Sequence, residues 1–411
     1  MDRLNVLAVT SHDLQGSRFN GFDWQPSLQK VGVDLRMLVA SQASVHVSWV
    51  SNFKSGSSKI RKVLSKFNFI RFGEINKSVD FSNSIFDHPW YKNADLIHLH
   101  IILDGTLSLD TIQRILEEKP TLWTWHDPAF MTGHCVTPMD CFRWDKGCGS
   151  CPDLSRPFPV AIDRTSEVLQ RKQQLLTKRL NVHVSTNWML NLVESNPSTA
   201  AIDIKQFPFG LDMSKFTIKP SRKKYYGFSD DSIIIGIRAT KDPYKEFDFF
   251  KLALERIVTN ANVVVLTVGD KGLLNSLKIS RSIDVVEWSW LSNEIDLIDY
   301  YNLLDIFISP SRFETFGLMG LEAMACGIPV IGVKNGAAAE VCNLEEYGFE
   351  VTPNDVNMFG IILEDFINKD LQIKKSRFEI RDFVQKKYDM GIFIKNLVDS
   401  YNYILAKDQY T

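Results

Sequence analysis

Two series of alternating apolar strands and helix-forming segments, separated by a polar linker, constrain the fold of this chain more than any other feature. The first series runs from "LNVLAVT" to "NVHVSTN", and the second starts at "SIIIGIRA". The stretch around residues 207–231 is polar, basic and rich in turn-forming residues, as linkers are. Strands that alternate with helices predict parallel sheets covered on both faces. We therefore predict an α/β protein with two Rossmann-like βαβ domains, residues 1–206 and 207–389.

The last segment, residues 390–411, is predicted to be an amphipathic helix with its apolar side chains near one face. Such a helix can pack on either half of the chain, and we expect it to pack back on the first domain. Two domains in series imply a cleft, and ligands of such sheets bind beyond the carboxyl ends of the strands. Side chains that directly follow a strand are therefore the candidates for chemistry.

Length and charge limit the functional classes. The chain has 411 residues, which suits two domains, and a formal net charge of −2, which creates no global field for nucleic acid or membrane. Its N-terminal apolar run is too short for a secretory signal, and no apolar stretch approaches the roughly 20 residues of a membrane span. We expect a cytoplasmic protein that binds no nucleic acid.

The segment "ETFGLMGLEAMACGIPV" places two carboxylates around a glycine-containing turn that follows the apolar strand "DIFIS". A helix is predicted to begin at about Phe316, which leaves free backbone amides near Gly317 and Leu318 for an anion such as a phosphate. Glu322 on this helix could accept hydrogen bonds from ribose hydroxyls, and Glu314 could meet a sugar beyond the phosphates. The alternative is an ordinary helix start with two unrelated glutamates.

The longer string "PSRFETFGLMGLEAMACGIPVIG" closely resembles the E-x7-E signature of retaining glycosyltransferases of family 4. These enzymes have the GT-B fold, in which two Rossmann-like domains face each other across a cleft. The resemblance implies that Arg238 and Lys245, in "GIRATKDPYKEF", bind the donor diphosphate, and two cations suit one pyrophosphate. Glu246 stands where the family usually has glycine. Glu340, in "NGAAAEV", is implied as a further donor-site residue, although the family's Gly-Gly-x-Pro turn is absent.

In the first domain, "HLHIILDG" and "WTWHDPAFMTGHC" resemble a bacterial subgroup that builds extracellular polysaccharide or lipopolysaccharide. The resemblance places His126 against the donor sugar. It also places Gly16 in a loop that approaches the donor phosphate or the acceptor, although the family's two adjacent glycines are missing there. Trp288 or one of its neighbours in "VVEWSWLSN" is expected to border the nucleotide base.

The function implied by the resemblance is retaining, metal-independent transfer of a sugar, typical of a hexosyltransferase, in bacterial cell-surface polysaccharide biosynthesis. The donor is a nucleoside-diphosphate-sugar, with a UDP-sugar favoured over a GDP-sugar, and the acceptor is a hydroxyl of a glycan that we expect to be lipid-linked. The chain has no Asp-x-Asp triplet, the usual metal–diphosphate device of the other common glycosyltransferase fold, so no catalytic metal is expected.

Other functions remain open to different degrees. A non-catalytic GT-B partner protein in a polysaccharide assembly complex is the main alternative. A nicotinamide-dependent oxidoreductase would need a G-x-G-x-x-G motif after a strand, which the sequence lacks. An epimerase or a phosphorylase of the same fold is disfavoured by the context of the E-x7-E string.

Four of the six cysteines lie within seventeen residues: Cys135, Cys141, Cys148 and Cys151. Their spacing includes one C-x2-C knuckle, and four thiolates satisfy tetrahedral zinc, which would be structural because no coordination position stays open. The alternative is a set of reduced thiols in a loop. The remaining two cysteines, at positions 326 and 342, are expected in the core.

Residues 52–77 combine six cations with four phenylalanines before the first acidic residue of the segment. Such a segment can lie on an anionic membrane surface, at the inner face of the plasma membrane, near a lipid-diphosphate acceptor. A solvated helix whose phenylalanines pack on their own domain explains the composition nearly as well.

Overall fold

A computed structural model describes most of the chain, in two compact units. The first unit comprises Met1–Gly210 together with Met390–Thr411, and the second comprises Leu211–Asp389. The residues described are 3–53, 63, 82–102, 106–155, 159–176, 180–291, 293–334 and 336–408. The basic segment 52–77, predicted to meet a membrane, lies outside the described residues except for Asn52, Phe53 and Val63. Within the described ranges, no helix combines the length and the apolar character needed to cross a membrane.

The first unit contains, in its described part, seven parallel strands in the order β3-β2-β1-β4-β5-β6-β7. Strand β1 is an interior strand, where Val6 pairs with Leu35 on one side and with Leu96 on the other. Because helices cover both faces of such a sheet, the central strands are almost continuously apolar. The strands are β1 Leu4–His12, β2 Val33–Ser41, β3 Val50–Asn52, β4 Leu96–Leu99, β5 Thr121–Thr124, β6 Asn181–Val184 and β7 Asp203–Gln206.

The helices of the first unit include the long C-terminal helix, which returns to this unit after the second. Its Phe393 ring lies 4.6 Å from the ring of the fully buried Trp24, and its Tyr401 hydroxyl lies 2.8 Å from His98 Nδ1. The helices are α1 Gln25–Lys30, α2 Pro89–Asn93, α3 Leu109–Glu118, α4 Thr165–Leu176, α5 Asn187–Glu194 and α13 Met390–Asp408.

The second unit contains, among the described residues, six parallel strands in the order β10-β9-β8-β11-β12-β13. They are β8 Ile233–Ala239, β9 Val263–Gly269, β10 Ile283–Trp288, β11 Ile306–Ser309, β12 Val330–Val333 and β13 Gly348–Val351. The helices are α6 Phe247–Leu254, α7 Glu294–Leu303, α8 Leu318–Ala325, α9 Ala337–Cys342, α10 Leu344–Tyr347, α11 Val356–Asn368 and α12 Arg377–Tyr388. The prediction of two Rossmann-like α/β domains is confirmed.

Strand order reverses once in each sheet. In the first sheet the reversal lies between β1 and β4, and in the second between β8 and β11. Loops that leave neighbouring strands at such a point diverge to opposite faces, and the crevice between them is where open α/β sheets bind ligands. The second reversal brings together the segments that follow Arg238 and Ser309, which hold most of the predicted donor-site residues.

Candidate functional site

An ion pair joins the two loops that leave β8 and β11. Lys245 ends a 3-10 turn, Pro243–Lys245, and its Nζ lies 2.6 Å from Oε2 of Glu314. The two side chains are 29% and 20% exposed, so the pair is shielded yet reachable from solvent. These residues are 69 positions apart in the sequence, and the strand reversal brings them into contact.

Glu246, where the family has glycine, forms a second link between the same loops. Its backbone is left-handed, with φ of 49°, a conformation that costs an ordinary residue about 1–2 kcal/mol. This explains why glycine suits the position. Glu246 offsets the strain with its carboxylate, which accepts from the backbone N–H of Arg312 at 2.6 Å and from its Nε at 2.8 Å. The Ser311 hydroxyl adds a bond to the carbonyl of Tyr244 at 2.8 Å.

Helix α8 begins beside this double link. Gly317 precedes it with φ of +83°, and a Cβ there would lie 3.3 Å from the backbone and side chain of Ala338. No side chain caps the helix, so the first amides, from Leu318 onward, keep donors for an anion. Phe316 is buried and anchors the turn through a perpendicular contact with Tyr388, at 6.2 Å between ring centroids.

Glu322 occupies a different environment from the one expected. It is only 2% exposed, and its carboxylate accepts a 2.7 Å hydrogen bond from the hydroxyl of Tyr301, which is itself fully buried. The structure therefore places Glu322 on the core side of α8. Its contact with a ribose hydroxyl stays a prediction.

Two tryptophans lie near the end of β10, and only one was singled out from the sequence. Trp288 packs within its own unit, 5.3 Å from the Tyr226 ring and 6.0 Å from the Tyr300 ring. Trp290 is 58% exposed, and the guanidinium carbon of Arg238 lies 4.9 Å from its ring centroid. The aromatic surface beside the predicted diphosphate cation is therefore Trp290. Its sequence signal is the repeated tryptophan of "WSW" at a strand end.

Glu340 lies on α9, the helix that follows β12. It falls in the first turn of that helix and is half-buried. Gly336 starts the helix, and a Cβ there would lie 3.2 Å from the carbonyl oxygen of Arg312. Gly336 thus packs directly against the Arg312 loop. Asn335, which precedes it, lies outside the described residues.

His126 follows β5 in the first unit and belongs to a cluster of rings. Its Nε2 lies 3.3 Å from Nδ1 of His100, and its imidazole stacks on Phe209 with 5.5 Å between centroids and 12° between planes. Phe19 lies 5.3 Å away on the loop after β1. The ring is thereby fixed on two sides, which suits a group that has to orient a ligand.

Three further histidines, not singled out from the sequence, surround His126 through the ends of β4 and β6: His98, His100 and His183. Thr124 links two of them, at 2.7 Å from His98 Nε2 and 3.1 Å from His183 Nδ1. Burial lowers the pKa of His126 to about 3 and that of His183 to about 4, and it holds the pKa values of the other two well below the usual range. All four imidazoles are therefore neutral at pH 7. The signal that could have found His98 and His100 is the "HLH" at the end of β4.

Gly16 shapes the loop that carries Phe19. Its φ is +78°, and a Cβ at this position would lie 2.7 Å from the Phe19 ring. The buried amide of Asn20 donates to the carbonyls of His12 and Asp13, each at 2.8 Å, and so holds the loop closed. Gly16 is therefore required by the close approach of Phe19. Its contact with a donor phosphate or an acceptor stays a prediction.

The four clustered cysteines line one cavity of the first unit, together with His134. Burial raises the pKa of Cys135 to about 11. In the part of the chain that the structure describes, no three His, Cys, Asp or Glu side chains are positioned to hold a metal ion. The other two cysteines, Cys326 and Cys342, are buried in the second unit, which confirms the prediction that they belong to the core.

Comparison with known proteins identifies the second unit. Residues 219–382 match the family model described as "Glycosyl transferases group 1". This match lies wholly within the second unit. The matched region contains Arg238, Lys245, Glu314, Glu322 and Glu340, and the predicted family resemblance is confirmed.

Two curated relatives of this chain are named for bacterial polysaccharide biosynthesis. WcaC of Escherichia coli K12, named for a colanic acid biosynthesis glycosyl transferase, is 27% identical over 60% of this chain and 61% of its own length. The capsular polysaccharide biosynthesis glycosyltransferase CapM of Staphylococcus aureus is 26% identical over 49% of this chain and 54% of its own. The chain thus spans somewhat more than half the length of these relatives.

Solved glycosyltransferase structures match the whole fold. Sucrose-phosphate synthase from Thermosynechococcus elongatus has a TM-score of 0.72 at 15% identity and covers 99% of this chain and 100% of its own. HepE of Anabaena in complex with UDP-glucose has a TM-score of 0.66 at 13% identity, with coverage of 97% and 99%. At these identities the likeness establishes the fold, and the predicted GT-B class is confirmed.

Proposed function

We propose that this protein is a retaining, metal-independent glycosyltransferase of bacterial cell-surface polysaccharide biosynthesis. The observation that carries the proposal is the Lys245–Glu314 ion pair at the strand reversal of the second unit, beside an uncapped helix start at Gly317. A cation, a carboxylate and free amides at one crevice suit the two parts of a nucleotide-sugar. The family match and the polysaccharide relatives support the same assignment.

Donor binding begins with the diphosphate. Arg238, at the end of β8, and Lys245 supply two positive charges, and the first amides of α8 supply hydrogen-bond donors. A diphosphate that binds Lys245 competes with Glu314 for its ammonium group. Glu314 is then released to accept hydrogen bonds from the sugar hydroxyls. The ion pair therefore keeps both groups positioned before the donor arrives, which lowers the reorganisation that binding requires.

Transfer breaks the bond between the anomeric carbon and the diphosphate oxygen and forms a bond from that carbon to the acceptor oxygen. Negative charge develops on the departing diphosphate, and Arg238, Lys245 and the helix amides stabilise it. The resemblance to retaining family 4 enzymes implies attack on the same face, with the leaving phosphate taking the acceptor proton. Glu314 then positions the sugar and is not required as a nucleophile.

His126 contributes a neutral imidazole to the proposed reaction, as the resemblance assigns it to the donor sugar. Because burial lowers its pKa to about 3, it can exchange hydrogen bonds with a hydroxyl but does not act as a general acid near pH 7. The bond to His100 fixes the orientation of its ring.

The donor is proposed to be a UDP-sugar, since HepE, of the same fold, is described in complex with UDP-glucose. The acceptor is proposed to be a hydroxyl of a lipid-linked glycan at the cytoplasmic face of the membrane, in keeping with the polysaccharide relatives.

Donor hydrolysis read by proton NMR tests both activity and stereochemistry. We incubate the protein with UDP-glucose, UDP-galactose or GDP-mannose in EDTA and follow the first anomer of the sugar that is released. A retaining enzyme releases the α-anomer first, at a rate that falls greatly in Glu314→Gln. Initial release of the β-anomer would refute retention. Absence of both hydrolysis and transfer with every donor would favour the non-catalytic partner protein.

A further inference from the structure

The cavity lined by the four clustered cysteines also contains an unsatisfied nitrogen. Nε2 of His134 is buried and has no hydrogen-bond partner among the described residues, and His134 lines this cavity with Cys135, Cys141, Cys148 and Cys151. A buried polar atom without a partner is costly, and such exceptions in folded proteins need a physical reason. Here the atom belongs to a residue that lines the same cavity as the four thiols.

The backbone of the C-x2-C pair is left-handed at consecutive residues. Cys148, Gly149 and Ser150 are three consecutive left-handed residues, with φ of 58°, 84° and 48°. The backbone N–H of Gly133 donates to Cys148 Sγ at 3.3 Å. An N–H group in this position can also donate to a metal-bound sulfur.

Neighbouring elements hold this strained loop. The N–H of Gly149 donates to the Thr165 hydroxyl at 3.0 Å, and the N–H of Cys151 donates to the Asp163 carboxylate at 2.6 Å. Lys172 on helix α4 donates to the carbonyls of Ala129 and Thr132, at 2.7 and 2.9 Å. The cysteine loop is therefore tied to the segment that directly follows His126.

We propose that the four cysteines bind one zinc ion as thiolates and that His134 Nε2 donates a hydrogen bond to one of the bound sulfurs. Four thiolates complete tetrahedral coordination, so the ion is structural and holds the segment between β5 and α4. The donated bond gives Nε2 the partner that it lacks. Supporting contacts of this type typically strengthen metal binding about 10- to 100-fold.

Closing the site requires the cysteine side chains to rotate. The four sulfurs are not arranged as a coordination sphere in the structure. In a tetrahedral site with Zn–S bonds of about 2.3 Å, the sulfurs lie roughly 3.8 Å apart. Rotation of a cysteine between staggered χ1 positions moves its sulfur by roughly 3 Å. Since all four cysteines line the same cavity and are partly exposed, each can turn into it.

The test measures zinc and thiols and does not use transferase activity, so its failure and the failure of the proposed function are distinguishable. The full chain is purified under reducing conditions, incubated with zinc sulfate, desalted and analysed by plasma mass spectrometry. We expect about one zinc ion per chain. Titration with a mercurial should release that ion as four thiols react, as monitored by a zinc-binding dye.

Variants distinguish the role of the cysteines from that of His134. Cys148→Ser with Cys151→Ser should retain less than about a tenth of an ion per chain. His134→Ala should keep the stoichiometry and lose zinc to a competing chelator about 10- to 100-fold more readily. The matched control is Cys326→Ala, a buried cysteine of the second unit, which should bind zinc as the wild type does. Circular dichroism confirms that each variant is folded.

Three results would overturn the proposal. A folded wild-type protein that retains no zinc after incubation would refute the site. An intact mass showing disulfides among the four cysteines after mild oxidation, with unchanged zinc content, would show that the ion lies elsewhere. Complete loss of zinc in His134→Ala would make His134 a ligand and contradict the four-thiolate assignment.

Discussion

The ends of the two sheets carry opposite chemistry. In the second unit, the loops after β8 and β11 hold half-buried charges that pair with each other, Lys245 with Glu314 and Arg312 with Glu246. In the first unit, the ends of β4, β5 and β6 hold buried imidazoles that are all neutral at pH 7. All eight histidines of the chain lie between residues 12 and 183, and none lies in the second unit.

The two sheets have the same kind of topology, so this difference follows from how deeply the side chains are buried and which partners they contact. Charges persist where an opposite charge and solvent are both near, and ionisable rings become neutral where apolar groups surround them. The charged crevice therefore suits a diphosphate, and the imidazole cluster suits hydroxyl groups. Each variant or condition below acts on either the charged crevice or the imidazole cluster.

The largest effect is expected from the charged side. Lys245→Ala removes a cation from the developing diphosphate charge and should lower the transfer rate by roughly 100-fold or more. Lys241→Ala is the matched control, since this exposed lysine lies in the same loop and should leave the rate within about twofold of wild type. Equal rates for Lys245→Ala and the wild type in a UDP-release assay would show that Lys245 does not stabilise the departing diphosphate.

Acid should weaken the imidazole side alone. The folded pKa values of His126 and His183 lie below the unfolded value near 6.5, so the unfolded chain binds more protons as the pH falls. Stability is therefore fully present above pH 6.5 and declines below it, by about 1 kcal/mol for each such histidine between pH 6.5 and 5.5.

Hydrogen exchange, read peptide by peptide at both pH values and corrected for the intrinsic rate, measures this acid effect. Protection should fall in β4, β5 and β6 of the first unit and stay nearly unchanged in β8 and β11 of the second. An equal loss of protection in both units would show that the histidines are not its source.

Two variants of Glu246 separate the effect of backbone strain from the effect of its hydrogen bonds to Arg312. Glu246→Ala keeps the left-handed strain and loses both bonds to Arg312, so the free energy of unfolding should fall by about 1–3 kcal/mol. Glu246→Gly also loses the bonds but relieves the strain, and should recover about 1 kcal/mol of that loss. Urea unfolding of the three proteins provides the comparison. Equal stability of the alanine and glycine variants would contradict the role of strain.

The smallest effect is expected at Trp290. Its ring contacts the Arg238 guanidinium, and such a contact at an exposed site contributes about 0.5–1 kcal/mol. Trp290→Ala should therefore weaken UDP binding about two- to fivefold, and Tyr225→Ala, which removes another exposed aromatic of the second unit, should not. A larger loss would show that the indole contacts the base directly.

The sequence predicted the two α/β units because strand and helix periodicity is local and strong. It also predicted that Glu314 lies in the loop between a strand and a helix, since consecutive residues encode the apolar strand, the turn and the helix start. It could not place Glu322, because the partner that buries it, Tyr301, lies on another helix. The clamp of Glu246 on Arg312 and the ring cluster around His126 were missed for the same reason, since packing between distant segments decides them.

Calorimetric titration of UDP in the presence of EDTA measures whether the cations beside β8 bind a nucleoside diphosphate without a metal ion. UDP should bind the wild type and Lys241→Ala with similar affinity, and binding should be lost in Arg238→Ala. If folded wild-type protein binds none of UDP, GDP, ADP and dTDP, or if Arg238→Ala binds as well as the wild type, these cations do not form a metal-independent diphosphate site.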